Sequence, residues 1–219
     1  MEQPVIDRLT TLSQLIDTGV IAVIRADSGD QLVNVCRALS TGGVHACEIT
    51  MTTPGALEAI AQASRELGKS ALIGAGSVLD AETARAAILA GARFIFSPVL
   101  NLDVIQMAHR YDCVAVPGAL TPTEILAAWR AGADVVKVFP ANHFGPQYLR
   151  DIHGPLPQVK LTPTGGVDLN TAADWIKAGA VAIGVGSSLV KKELINGGKW
   201  DDLSALAKQY VAAVAAARA

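Results

Sequence analysis

The chain has 219 residues, enough to bury one substantial core but short for two. Hydrophobic residues make up 51% of it, aromatic residues 5% and charged residues 17%, so burial must come from Ala, Val, Ile and Leu rather than from rings, as in α/β proteins. A formal net charge of −2 supplies no basic field for counterion release, which argues against a nucleic-acid partner.

The chain opens with MEQPVIDRLTTLSQLIDTG, where acids stand in place of the basic end and apolar block of a secretory leader. Residues 5–18 instead predict an extra amphipathic helix placed to cap the bottom of the fold. Eight short apolar runs follow: VIAVI (20–24), ACEIT (46–50), ALIGA (71–75), RFIFS (93–97), CVAVP (113–117), DVVKVF (134–139), VKLTP (159–163) and VAIGVG (181–186). Helix punctuation lies between them, with a polar cap at the start and glycine at the end. Thr53-Pro54 is expected to open a helix that stops near Gly68, Asp80 one that stops at Gly91, and Asp168 one that stops near Gly179. Thr121-Pro122-Thr123-Glu124 reads as a capping box with proline at the first helical position and a stop at Gly132. A last helix begins near Trp200 and runs into an Ala-rich tail.

Strict alternation of strand and helix requires parallel strands with helical crossovers, and runs this apolar are buried on both faces. Eight such units predict a single (β/α)8 TIM barrel over residues 1–219, although such barrels are usually nearer about 250 residues. No apolar run approaches the roughly 18 to 20 residues that span a bilayer, so no membrane association is expected. Cys36, Cys47 and Cys113 are odd in number and set among apolar neighbours, which reads as reduced core thiols in a cytoplasmic protein.

In such a barrel the chemistry sits at the C-terminal strand ends. In order, those ends offer Arg25, Glu48, Gly76-Ser77, Ser97-Pro98, Pro117-Gly118, Lys137, Thr164-Gly165-Gly166 and Gly186-Ser187-Ser188. Arg, Glu and Lys are costly to bury without a partner or a task. Alternation points Lys137 inward, and a neutral amine in an apolar setting attacks carbonyls, so it is a candidate Schiff-base nucleophile. The competing reading is a strand-end lysine that reaches solvent or pairs with Glu48. Glu48, a lone acid in an apolar strand, reads as a proton shuttle or as a counter-ion to Lys137 or Arg25.

The glycine loops at 164–166 and 186–188 follow the seventh and eighth runs, where barrels bind phosphate through backbone N–H groups. Gly74-Ala75-Gly76-Ser77 either presents amides and a hydroxyl to a carboxylate or is a tight turn. His45, His109, His143 and His153 lack ligand spacing and read as surface or packing residues, and no metal site is expected.

GVIAVIRA, GGVHACEITMTTP, IGAGSVLD, FIFSPVLN, VPGALTPTEI, VVKVFPA, FGPQYLRDIHGPLP and LTPTGGV, in that order, resemble the 2-keto-3-deoxy-6-phosphogluconate (KDPG) and 4-hydroxy-2-oxoglutarate (KHG) aldolases over nearly the whole chain. The resemblance implies a cofactor-free class I lyase acting through a Schiff base, with Lys137 as imine lysine, Glu48 as proton shuttle and Thr164 near the bound keto acid. It implies that Gly165, Gly166, Gly186 and Ser187 hold a phosphate and that Phe139 and Pro98 shape the pocket. The implied ligands are pyruvate and a phosphorylated aldehyde, and the implied assembly is a homotrimer. Familiar members carry an arginine four residues beyond the glutamate to hold the pyruvate carboxylate; this chain has Thr52 there, which is kept as a candidate substrate-binding residue. A subset that includes relatives acting on the galactonate epimer carries an arginine matching Arg25, which could supply the guanidinium from the neighbouring strand. Ser77 stands where the family often has threonine, keeping the hydroxyl. Rival readings are a phosphosugar isomerase or transferase, with Lys137 as an electrostatic clamp, and a non-catalytic phosphometabolite-binding barrel.

Overall fold

The structure, a computed structural model, describes residues 7–29 and 31–219. Within them the apolar runs form parallel strands: β1 (Val20–Ile24), β2 (Ala46–Thr50), β3 (Leu72–Gly76), β4 (Phe94–Phe96), β5 (Val114–Val116), β6 (Gly118–Ala119), β7 (Val136–Val138), β8 (Leu161–Pro163) and β9 (Ile183–Val185). Between and around them lie α1 (Arg8–Thr18), α2 (Leu32–Thr41), α3 (Ala56–Leu67), α4 (Ala81–Leu89), α5 (Leu102–Arg110), α6 (Pro122–Arg130), α7 (Gln147–His153), α8 (Ala172–Lys177), α9 (Lys192–Asn196) and α10 (Trp200–Arg218).

One unbroken eight-stranded ladder is not what forms. The strands make a six-stranded sheet, β5-β4-β3-β2-β1-β9, and a three-stranded sheet, β6-β7-β8. The break falls inside the fifth expected run, because Pro117 has no N–H to give the ladder. β5 stays with β4, and two residues later β6 pairs with β7. Main-chain bonds still cross both seams. Asp134 N donates to Ala115 O at 3.0 Å and Lys137 N to Pro117 O at 2.9 Å on one side; on the other, Val181 N donates to Leu161 O at 3.0 Å, and Thr164 and Gly184 form a single bridge.

The sheet curls around one apolar layer and presents another outward. Ile21, Ala46, Leu72, Phe94, Val114 and Ala182 are buried inside the curl, with the Phe94 and Phe96 rings edge-on at 5.6 Å. Their strand neighbours, such as Val20, Ala22 and Ile49, pack outward against Leu32, Leu39, Ile60 and Tyr210 of the helices. Each buried Leu, Ile or Phe adds about 1.5 to 3 kcal/mol relative to exposure. Leu15 of α1 joins the inner layer from below and leaves only about 10 Å³ of open space there. α1 starts on Asp7, whose carboxylate accepts from Thr10 N at 2.8 Å. Residues 5 and 6 of the expected helix lie outside the described residues.

Local punctuation explains where two helices depart from expectation. α4 and α6 open on Asp80 and on the Thr121–Glu124 capping box, as their sequences imply. α3, however, begins at Ala56 after Gly55 (φ 72°), because Thr53 stays in the preceding turn and its hydroxyl accepts from Ala26 N at 3.3 Å. α8 begins only at Ala172. Asp168 closes a turn on itself first, accepting from both Thr171 N and Thr171 Oγ1 at 3.0 Å.

Candidate active site

Side chains alternate along a strand, so each inward apolar residue is followed two and four positions later by inward residues nearer the mouth. Ile21 is followed by Val23 and Arg25, Ala46 by Glu48 and Thr50, Leu72 by Gly74 and Gly76, Val135 by Lys137 and Phe139, and Ala182 by Gly184 and Gly186. One periodicity thus packs the bottom of the curl with hydrocarbon and collects the polar residues above it.

Lys137 and Glu48 form the centre. They are 5% and 1% exposed, with Lys137 Nζ 3.9 Å from Glu48 Oε1. The ammonium also lies 5.0 Å from the Phe139 ring centre and 5.5 Å from that of Phe96, within cation–π range of both. Among the described residues, neither Glu48 oxygen has a hydrogen-bond partner, and neither does the buried Thr164 Oγ1. Burial pushes the Glu48 carboxyl above its ordinary range, with the Lys137 and Arg25 charges pulling the other way.

Two glycines make room for these oxygens. A Cβ on Gly76 would sit 1.9 Å from Glu48 Oε1, and one on Gly184 would sit 2.2 Å from Thr164 Oγ1. No local pattern in the sequence reveals such approaches across the sheet. Phe96, by contrast, could have been found from the alternation in FIF, which turns it inward like Phe94.

The structure brings the other expected residues to the same end of the strands. Arg25 is exposed at the end of β1 and its Nε donates to Thr52 Oγ1 at 3.2 Å, so the two residues weighed for carboxylate binding touch each other. Ser77 is half-buried just past β3, in a left-handed conformation at φ 58°. Pro98 packs so closely on Gly118 that a Cβ there would lie 2.4 Å from its carbonyl. Phe139 is 36% exposed above Lys137.

In the two glycine loops, Gly165 and Gly166 have φ of 97° and 73°, outside the range that side chains prefer. A Cβ on Gly186 would meet nothing within 4 Å. The amides of Gly166, Ser187 and Ser188 donate no hydrogen bond among the described residues, and Ser187 is exposed. Such unengaged N–H groups suit an anion.

The histidines stand apart. His109 Nε2 lies 3.2 Å from Asp134 Oδ2, His45 Nδ1 is 3.0 Å from Ser70 O, and His153 Nε2 is 3.1 Å from Val159 O, while His143 is exposed on the turn after β7. All three cysteines are buried and none is in a disulfide. A groove of about 310 Å³ beside α4 and α5, lined by Asp80, Glu82, Asp103 and Arg110 among others, contains none of the expected site residues. No helix of the described residues is long and apolar enough to cross a membrane.

The family described as KDPG and KHG aldolase matches the chain over residues 12–206. The chain is 34% identical over 203 residues to the 2-dehydro-3-deoxy-phosphogluconate aldolase of Pseudomonas aeruginosa, covering 92% of this chain and 91% of that one. It is 35% identical over 173 residues to the 2-dehydro-3-deoxy-6-phosphogalactonate aldolase of Escherichia coli K12, covering 78% and 84%. Its fold is similar to that of the KDPG aldolase from Legionella pneumophila crystallised with pyruvate captured as a covalent carbinolamine, with a TM-score of 0.84, 28% identity and coverage of 90% and 96%.

Proposed function

The chain belongs to the KDPG and KHG aldolase family, and from that membership we propose a class I aldolase that cleaves KDPG to pyruvate and D-glyceraldehyde 3-phosphate, with KHG, giving pyruvate and glyoxylate, as a further substrate. The observation that carries the mechanism is the buried pair Lys137 and Glu48, 3.9 Å apart among apolar and aromatic groups.

Lys137 Nζ adds to the C2 carbonyl of the keto acid, and loss of water gives a protonated imine that serves as the electron sink. Glu48 takes the proton of the C4 hydroxyl, directly or through water. The C3–C4 bond then breaks. Its electron pair moves into the imine to leave the enamine of pyruvate, and C4 departs as the aldehyde carbon. The acid form of Glu48 returns its proton to C3 of the enamine, and hydrolysis frees pyruvate and the lysine. A carboxyl raised above its ordinary range by burial suits both the taking and the returning of that proton.

Arg25 binds the keto acid's carboxylate, with Thr52 beside it, and Thr164 and Ser77 offer hydroxyls near the bound chain. Phe139 and Pro98 wall the pocket. The Gly165-Gly166 and Gly186-Ser187 turns take the phosphate, a reading supported by their unengaged amides. The two sheets work as one closed (β/α)8 barrel, an idea supported by the main-chain bonds across both seams. Three buried, unpaired cysteines fit a reducing cytoplasm. The working assembly is a homotrimer; exposed Leu79 and Val99, on adjoining loops after β3 and β4, and Leu102, at the start of α5, suit such a contact, and sedimentation as a monomer would reject it.

A second reading keeps the chemistry and changes the C4 epimer to 2-keto-3-deoxy-6-phosphogalactonate. The 35% identity to the 2-dehydro-3-deoxy-6-phosphogalactonate aldolase of Escherichia coli K12 favours it. Borohydride reduction in the presence of pyruvate, followed by peptide mass analysis, tests the proposal. A reduced pyruvyl group on Lys137 is expected. Folded protein without that adduct would overturn the aldolase reading in favour of a phosphosugar isomerase or a phosphate-binding barrel. Pyruvate release from each epimer then separates the two substrate readings.

A further inference from the structure

A run of side chains stitches the loop after β1 to the end of β2. Arg25 Nε donates to Thr52 Oγ1 at 3.2 Å, and Thr52 Oγ1 donates to Thr50 Oγ1 at 3.1 Å. The Thr50 and Thr53 hydroxyl oxygens lie 3.4 Å apart, and Ala26 N donates to Thr53 Oγ1 at 3.3 Å. Thr50 and Thr53 are 1% and 3% exposed, whereas Arg25 and Thr52 are exposed. The ladder is therefore anchored at its buried end and carries a guanidinium at its open end.

Proton counting gives the ladder a direction. A threonine hydroxyl has one hydrogen, and Thr52 aims its own at Thr50, so toward Arg25 its oxygen can only accept. An N–H of the guanidinium is the complement. A guanidinium can meet a carboxylate in bidentate fashion along its side edge, through Nε and one Nη, or along its end, through both Nη nitrogens. Thr52 engages the side edge, and Arg25 has no other hydrogen bond or ion pair among the described residues. The end edge is what remains for a ligand.

We infer that Thr52 is a positioning residue for Arg25, holding Nε so that the two-nitrogen end of the guanidinium receives the carboxylate of the keto acid, with Thr50 and Thr53 fixing Thr52 in turn. The inference rests on the reading of Arg25 as the carboxylate ligand. It assigns to Thr52 no contact with substrate. The arrangement differs from one long side chain placed directly at position 52, since here reach comes from β1 and aim from β2. A long side chain with many rotamers gains most from such a brace, because less freedom remains to be lost when the ligand arrives.

Steady-state cleavage kinetics of Thr52→Val, Thr52→Ser, Arg25→Met and the Arg25→Met/Thr52→Val double variant test it. Thr52→Val keeps the shape and removes the acceptor. It is expected to raise KM about tenfold with kcat within about twofold, the mark of lost binding rather than lost chemistry. Thr52→Ser restores KM. Arg25→Met raises KM at least as far, and adding Thr52→Val to it changes nothing more, because a positioner has no effect once its target is gone. Borohydride trapping with saturating pyruvate stays complete in all four variants, which separates the effect from damage around Lys137. If Arg25→Met raises KM but Thr52→Val leaves it at the native value, or raises it equally in both backgrounds, the positioning inference is overturned and the Arg25 reading stands. If Arg25→Met leaves KM unchanged, the Arg25 reading fails and the inference falls with it.

Discussion

Lys137 Nζ and Glu48 Oε1 stand 3.9 Å apart, too far for a hydrogen bond and close enough for their charges to interact strongly in a site nearly closed to water. Among the described residues the carboxylate oxygens have no donor and the amine no competing acceptor at bonding distance, so each can turn to a third group between them.

The amine is the first thing to remove. Lys137→Met keeps the length of the side chain and its packing against Phe96 and Phe139 while deleting the nucleophile. Pyruvate trapping by borohydride is expected to vanish, and kcat to fall by at least about a thousandfold. Residual turnover within tenfold of the native chain would leave Lys137 as a clamp rather than a nucleophile.

Glu48 links activity and stability to pH with opposite signs. Burial raises its carboxyl above the ordinary range despite the pull of Lys137 and Arg25, so the folded chain holds that proton more tightly than the unfolded chain. The stability this confers is complete below the unfolded-state value and is lost as pH rises through the folded-state value. Glu48→Gln suffers no such loss. Its Tm relative to the native chain is therefore expected to climb over the window that opens near the ordinary glutamate value of about 4 and extends upward through the raised folded-state value. Turnover should run the other way: kcat rises through the same window as the base ionises, and the glutamine variant loses that limb together with about a hundredfold or more in kcat. A Tm difference that stays constant across the range would contradict the burial of an ionising group at this position.

Gly76 tests the space given to that carboxylate. Its backbone conformation admits a side chain, but a Cβ would fall 1.9 Å from Glu48 Oε1. Gly76→Ala is expected to displace Glu48 by about an ångström and to lower kcat about a hundredfold while leaving pyruvate trapping on Lys137 intact. Loss of trapping in step with turnover would mean that the whole interior had shifted.

The period-two pattern made much of this site legible, since it turns Arg25, Glu48, Lys137 and Phe139 to the same side as the inner hydrocarbon layer. What stayed hidden depends on contacts between distant segments. Gly76 reads locally as a turn glycine, yet its lack of a side chain also serves Glu48 on the neighbouring strand. Thr53-Pro54 reads as a helix opening, yet the Thr53 hydroxyl is engaged by Ala26 from another loop, and α3 starts at Ala56. The strand count failed for a local reason, because Pro117 inside the apolar run CVAVP withholds a ladder hydrogen and divides β5 from β6.

Arg218, near the end of α10, carries a stability prediction remote from the chemistry. Its Nη1 donates to Asp17 O at 2.9 Å, and its Nη2 donates to Ile16 O at 2.6 Å and Val181 O at 2.7 Å. Two of those carbonyls belong to the last turn of α1, which has no intrahelical donors for them. Arg218→Ala is expected to cost about 2 kcal/mol, read as a Tm lowered by about 4 to 8 °C, with KM and kcat unchanged. A Tm within a degree of the native value would show that water replaces the guanidinium there at no cost.

Gly186 separates an effect on the ligand from an effect on the fold. It has no positive φ, and a Cβ built on it meets no atom within 4 Å, so Gly186→Ala should fold with its native Tm. The added methyl nevertheless enters the space beside the Ser187 and Ser188 amides, where the substrate's phosphate is proposed to sit. KM for the phosphorylated keto acid is expected to rise about tenfold or more, because a backbone that admits an anion closely does so only without a side chain in the way. Cleavage of KHG, which carries no phosphate, should proceed as before. Equal losses on both substrates would move the phosphate away from this turn, and no loss on either would leave the Gly165-Gly166 turn as its sole support.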